Sequence, residues 1–215
     1  MRAIIATPMA DEPLTLHWLP LFPLGTVLFP GGELPLRIFE VRYLDLMDKC
    51  QKAGAPFGVV NIRQGHEVQV AGAPDEQLQA EGTLAHIVKL ERPQSGLFVV
   101  QCEGRQRFRV VRHERLKHGL WVADVVLLAD DAAVSIPEDL QHTAQALRQL
   151  RNSLRERGAI ASDDAESAYQ DCGWVANRWC ELLPLSTEMK QRLMTLDNPL
   201  LRLELVADIL SREGI

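Results

Sequence analysis

No apolar run in this sequence reaches the ~18 residues that a membrane-spanning helix requires. The opening stretch, Met1–Pro8, carries one basic residue and too short an apolar segment for a secretion signal. Cysteine is scarce: Cys50, Cys102, Cys172 and Cys180 include no C-x-x-C pair, which excludes a zinc knuckle and a thioredoxin motif. Scattered thiols without a secretion signal are expected to be free in a reducing, cytoplasmic compartment. The sequence also lacks G-x-x-x-x-G-K-[ST], G-x-G-x-x-G and G-x-S-x-G, and His66-Glu67 is followed by Val-Gln-Val rather than by a second metal-ligating histidine. None of the six histidines stands at metal-ligand spacing, so neither metal nor cofactor is expected. Nor is there an excess of positive charge. The 23 Lys and Arg against 29 Asp and Glu leave a net charge of −6, which disfavours a globally basic nucleic-acid binder while leaving room for a local basic face. Paired carboxylates such as Asp130-Asp131 and Asp163-Asp164 stand at expected loops or helix starts. There they complement the helix dipole rather than form an acid–base pair.

What is present divides near residue 130. Residues 14–130 read as β-rich, with short apolar runs at 19–22, 27–29, 57–62, 82–90, 97–102, 106–112 and 120–128 punctuated by turn residues. Pro93-Gln94-Ser95-Gly96 and Glu103-Gly104 read as turns between neighbouring strands. One helix interrupts them, Phe39–Ala53, with Gly54 as its stop. From 131 to 215 the pattern is helical. Ser135-Ile136-Pro137-Glu138 reads as a capping box before the stripe Leu140, Ala144, Leu147, Leu150 and Leu154, and Gly158 ends that helix. A second helix is expected from Ser162 or Asp163 to Leu183, a third capped by Ser186, and a fourth opening at Asn198-Pro199. The first 130 residues are nearly neutral, and the remainder carries five of the six net negative charges, most simply as a solvated helical face. Residues 1–13 are expected to form a flexible leader.

Two segments stand out. In residues 19–43 four prolines (20, 23, 30, 35) are interleaved with large apolar residues. They call for strand ends, bulges and edges rather than a central strand. Arg37 and Arg42 stand among apolar neighbours with Glu40. They either pair with it to fix the strand-to-helix join or line a binding groove beside exposed aromatics. The second segment is Glu103–Arg112. Strand alternation would place Arg105, Arg107 and Arg109 on one face and Phe108 and Val110 on the other, as a phosphate-contacting stripe or as an ion-paired face.

The stretch Leu21-Phe22-Pro23-Leu24 … Leu28-Phe29-Pro30-Gly31 … Leu34-Pro35-Leu36-Arg37-Ile38-Phe39-Glu40 … Arg42-Tyr43 resembles the opening of the N-terminal, substrate-binding domain of Lon proteases. Further blocks agree in order: Phe57-Gly58-Val59-Val60, Gly65 with Glu67, Gly82-Thr83-Leu84-Ala85, Gly104 with Arg107-Phe108, and Leu182-Leu183-Pro184-Leu185-Ser186. The resemblance covers roughly residues 18–212. It implies an α+β fold, with a β-rich PUA-like pseudobarrel containing one helix followed by a helical subdomain. It also implies capture of unfolded or tagged polypeptide.

No Walker motif accompanies the resemblance, and 215 residues leave no room for an ATPase domain. The expected role is therefore a non-catalytic module that binds unfolded polypeptide or a partner protein, with no membrane attachment, as a monomer or weak dimer. Phe29, Pro30, Arg37, Phe39, Arg42 and Tyr43 are its candidate contacts. The alternative is a PUA-like RNA-binding protein using Arg105, Arg107 and Arg109.

Overall fold

A computed structural model describes residues 13–65, 76–160 and 164–214. The expected leader and the proposed helix start at Ser162 or Asp163 lie outside the described residues. Among the described residues six strands form one mixed sheet: β1 (Thr15–Leu24), β2 (Glu33–Ile38), β3 (Phe57–Gln64), β4 (Gln77–Gln94), β5 (Leu97–Arg115) and β6 (Trp121–Leu127). Five α-helices of the described residues accompany them: α1 (Val41–Ala53), α2 (Gln141–Glu156), α3 (Cys172–Leu182), α4 (Thr187–Met194) and α5 (Pro199–Glu213). The architecture is α+β. None of the described helices is long and apolar enough to cross a membrane.

The strand order is β2-β5-β4-β3-β1-β6, and β6 also pairs with β5, which closes five strands into a barrel and leaves β2 appended to the outside of β5. The long β5 makes this possible. Its first half pairs with β2 (Ile38 opposite Phe98) and its second half with β6 (Arg115 opposite Trp121). Glu103-Gly104 is therefore not a turn; it lies inside one continuous strand. Gly104 accepts from the Gly31 amide (2.8 Å) and donates to the Gly32 carbonyl (2.8 Å), with Gly31 at φ +71°. This is a glycine bulge at the entry to β2. A Cβ on Gly104 would fall 2.2 Å from the Phe29 carbonyl oxygen, so only glycine permits the approach.

β1 carries Pro20 and Pro23 without breaking. It pairs with β6 from Thr15 to Leu21 and with β3 from Leu21 to Leu24, so at either proline it has, among the described residues, a neighbour on one side only. Pro35 lies in β2, which among the described residues pairs with β5 alone.

The helical part departs from expectation in two places. Ser135 makes no cap: Pro137 precedes a 3-10 turn at Glu138–Leu140 with no side-chain cap, while Ser135 forms an isolated bridge with Asp171. The expected long second helix is instead a 3-10 segment, Glu166–Gln170, followed by α3. Asp171 takes over as cap there. One of its oxygens accepts from the Trp174 amide (2.8 Å) and the other from the Val134 amide (3.2 Å). The Ser186 and Asn198 caps form as the sequence indicates.

Val27-Leu28-Phe29 is not a strand. It is a loop that drives Val27 and Phe29 into the core of the helical part, beside Leu147, Val175, Trp179 and Leu203. Buried arginines reinforce this junction. Arg178 of α3 donates to the Gly31 carbonyl, to the Pro30 carbonyl (2.9 Å) and to Glu181 (2.7 Å). Arg202 of α5 binds Asp131 (2.5 and 3.1 Å) and Asn177 (2.9 Å).

Candidate functional site

A groove of about 320 Å³ opens between the end of β1, the length of β2 and the start of α1. Phe22, Leu24, Leu34, Leu36, Ile38 and Tyr43 supply its apolar lining, and Arg37, Phe39 and Glu40 stand at its rim. Strand alternation sets this arrangement. Along β2 the residues Leu34, Leu36 and Ile38 turn inward while Glu33, Pro35 and Arg37 face out. Phe39 and Val41, at the turn into α1, are 61% and 72% exposed and extend the apolar surface beyond the groove. Arg37 makes no ion pair among the described residues.

Beneath the rim the join is held by charge. Arg42 binds Glu40 (2.8 and 3.0 Å) and donates to the Gly119 carbonyl (2.6 Å), which ties the start of α1 to the β5–β6 turn. Its guanidinium also lies over the Tyr43 ring at 4.5 Å. That ring packs on Phe22 with centroids 4.2 Å apart. Burial pushes the Tyr43 phenol up to about 12, with Arg42 opposing. The hydroxyl therefore stays neutral at physiological pH.

Of the six candidates, the structure brings Arg37, Phe39 and Tyr43 together in the groove, with Arg42 behind them. Phe29 and Pro30 lie elsewhere. Phe29 is 0% exposed because it fills the helical core, so it is withdrawn as a surface contact. Pro30 belongs to the turn held by Arg178. Sequence reasoning passed over Phe22, Leu24, Leu34 and Leu36 as contacts. For Leu34 and Leu36 the signal that could have found them is the alternation of Glu33–Ile38, interrupted by Pro35, whereas Phe22 and Leu24 reach the groove only through the placement of β1.

The arginine stripe does not form one exposed face. Arg107 is 4% exposed and donates to the Met194 carbonyl (3.0 Å) and to Asp197 (3.0 Å), because the link between α4 and α5 covers β5 there. Arg105 pairs with Glu103 (2.8 Å) and Arg109 with Glu81 (2.8 Å). Phe108 points into the barrel.

A wider cavity of about 570 Å³ lies over the outer face of β2, β5 and β4, lined by Glu33, Gln101 and Glu103 together with Leu34, Pro35, Val88 and Ala159. The smaller groove combines apolar lining, an exposed aromatic and a cation without an ion-pair partner among the described residues, and it takes most of its wall from the residues of the N-terminal resemblance.

The sequence profile of the ATP-dependent protease La (LON) substrate-binding domain matches residues 18–212. The chain belongs to the Lon substrate-binding domain family. A crystal structure of a Lon N-terminal domain protein from Xanthomonas campestris superposes with a TM-score of 0.69 at 32% identity, covering 90% of this chain and 98% of that one. The N-terminal domain of a Mycobacterium avium complex Lon protease shares the fold, with a TM-score of 0.57 at 16% identity, covering 88% of this chain and 96% of that one. Among curated proteins, Lon protease 2 of Myxococcus xanthus is 28% identical over 200 residues, 91% of this chain and 24% of that protein. Lon protease of Anaeromyxobacter dehalogenans is 26% identical, covering 91% of this chain and 23% of that protein. The chain thus spans about a quarter of the length of the curated relatives it matches. In this Lon substrate-binding domain the groove between β1 and β2 falls within the matched residues.

Proposed function

We propose that this domain captures exposed apolar segments of unfolded or tagged polypeptide without chemistry of its own, for delivery to a partner protein. The observation that carries the reading is the groove between β1, β2 and α1, whose apolar lining continues into the exposed Phe39 and Val41. Aromatic and arginine side chains concentrate binding energy at such surfaces, and Phe39, Tyr43 and Arg37 supply both types. The relatives' names support the class of partner, since a substrate-binding domain of a protease meets polypeptide.

The test is fluorescence anisotropy of fluorescein-labelled lactalbumin, kept unfolded by reduction and carboxymethylation, titrated at 50 and 200 mM salt. Saturable binding that survives the higher salt, and that weakens about tenfold in F39A, supports the reading. No saturable binding at either salt overturns it. The RNA alternative predicts affinity for a single-stranded RNA that collapses across the same salt range. With Arg107 buried and Arg105 and Arg109 paired, no observation favours it.

A further inference from the structure

Five consecutive residues of β2, Leu34 to Ile38, line the groove. Side chains of a strand alternate between its faces, so a wall built from every residue in turn runs along the strand's edge rather than over one face. Across the groove stand Phe22, Pro23 and Leu24, which belong to β1 beyond the point where β6 leaves it. The groove is therefore a gap in the sheet. It is bounded by two strand edges that among the described residues have no partner on that side: the outer edge of β2 and the end of β1.

The direction of the backbone groups on β2 follows from the bulge. The Gly104 amide bonds the Gly32 carbonyl, and antiparallel pairs alternate between bonded and non-bonded. Leu34, Leu36 and Ile38 therefore bond to β5, while Glu33, Pro35 and Arg37 turn their backbone groups to the gap. Pro35 fits this parity, since it has no amide to give β5. The edge accordingly presents carbonyls at 33, 35 and 37 but amides at 33 and 37 only. A proline on an edge weakens indiscriminate strand addition, and two remaining donors leave it usable. Beside it stands the exposed Arg37 without an ion-pair partner among the described residues, a site for a carboxylate.

We infer that the captured segment adds to the outer edge of β2 as an extended strand filling the gap toward β1. Its inward side chains meet Phe22, Leu24 and Tyr43, and an acidic residue lies opposite Arg37. The inference rests on the capture reading above. It makes main-chain hydrogen bonds, rather than any one side chain, the basis of recognition, which suits a binder of many sequences.

The experiment uses the same labelled, unfolded lactalbumin and three variants. R37A removes the charge and keeps the amide; R37P removes both, and the amide it removes is one that β5 does not use. P35A adds the missing donor to the edge. One backbone hydrogen bond corresponds to about fivefold in affinity. The expected result is R37P about fivefold weaker than R37A, and P35A about fivefold tighter than wild type. Should R37P fail to fold, P35A alone decides. If wild type binds and P35A leaves the affinity unchanged, strand addition is overturned while groove capture stands. If wild type does not bind, both fall together.

Discussion

At the scale of single residues, the chain uses arginine mainly as a structural tie. Arg107 illustrates it: its guanidinium, desolvated beneath the α4–α5 link, answers a main-chain carbonyl and Asp197. R107A should destabilise the protein by about 2 kcal/mol, since a buried acceptor loses its donor. R105A and R109A, which remove exposed pairs, should each change stability by less than about 0.5 kcal/mol. Urea denaturation of the three variants checks the ranking. The cysteines make a second case. All four are buried and free, and desolvation holds the Cys50 and Cys172 thiols at about 11 and those of Cys102 and Cys180 at about 12. A thiol without its thiolate is a poor nucleophile. Native protein at pH 8 should thus release no chromophore from Ellman's reagent within minutes, and all four cysteines should react in guanidinium.

At the scale of elements, the caps decide where helices begin. D171A removes two acceptors at once, one from the start of α3 and one from Val134, and should cost about 2 kcal/mol. S135A, at the capping box that does not form, should cost less than about 0.5 kcal/mol in the same measurement. The contrast marks how far local sequence reaches. Ser186 and Asn198-Pro199 were legible because an N-cap is a local contract between a side chain and an amide three residues away, and Gly54 because its left-handed backbone returns its own amide to the last turn of α1. Ser135 had a rival, the strand-like bridge to Asp171 far along the chain, which no local pattern discloses. β2 was not delimited because the four prolines indicate ends, bulges and edges without saying where a strand runs; the topology places Pro35 in the edge strand, where proline is tolerated. Arg37, Phe39 and Tyr43 meet at one groove because they flank the passage from β2 into α1, which the sequence marks as a strand-to-helix join. Phe29 was misplaced because hydrophobicity announces burial or binding equally well, and which core a loop enters is a tertiary fact.

At the scale of the whole molecule, the junction between barrel and helices holds a carboxyl whose titration is coupled to folding. Glu181 faces the Gly31-Gly32 turn among Arg178, Arg151, Lys190 and Glu33. Burial lifts its carboxyl from 4.5 to about 7, with Arg178 opposing. A carboxyl raised on folding stabilises the folded state fully below its unfolded value, and that contribution is lost as pH rises through its folded one. Stability from this group should therefore decline between about pH 4.5 and pH 7 and level off above. E181Q should flatten that decline, as read from urea midpoints across the range. Asp164 runs the other way. Although burial opposes it, Arg151 and Tyr169 hold its carboxyl below 3.8, so its contribution vanishes only in acid.

The loop that carries Val27 and Phe29 across the junction has a consequence for how such a domain can be inherited. A recombination point between β6 and α2, where the chain passes from strands to helices, would look harmless. It would leave one offspring with an aliphatic and an aromatic side chain standing bare on a barrel, and the other with an aromatic-sized hole among its helices. Neither piece is a viable gift to another gene, so barrel and helices must travel as a single heritable unit.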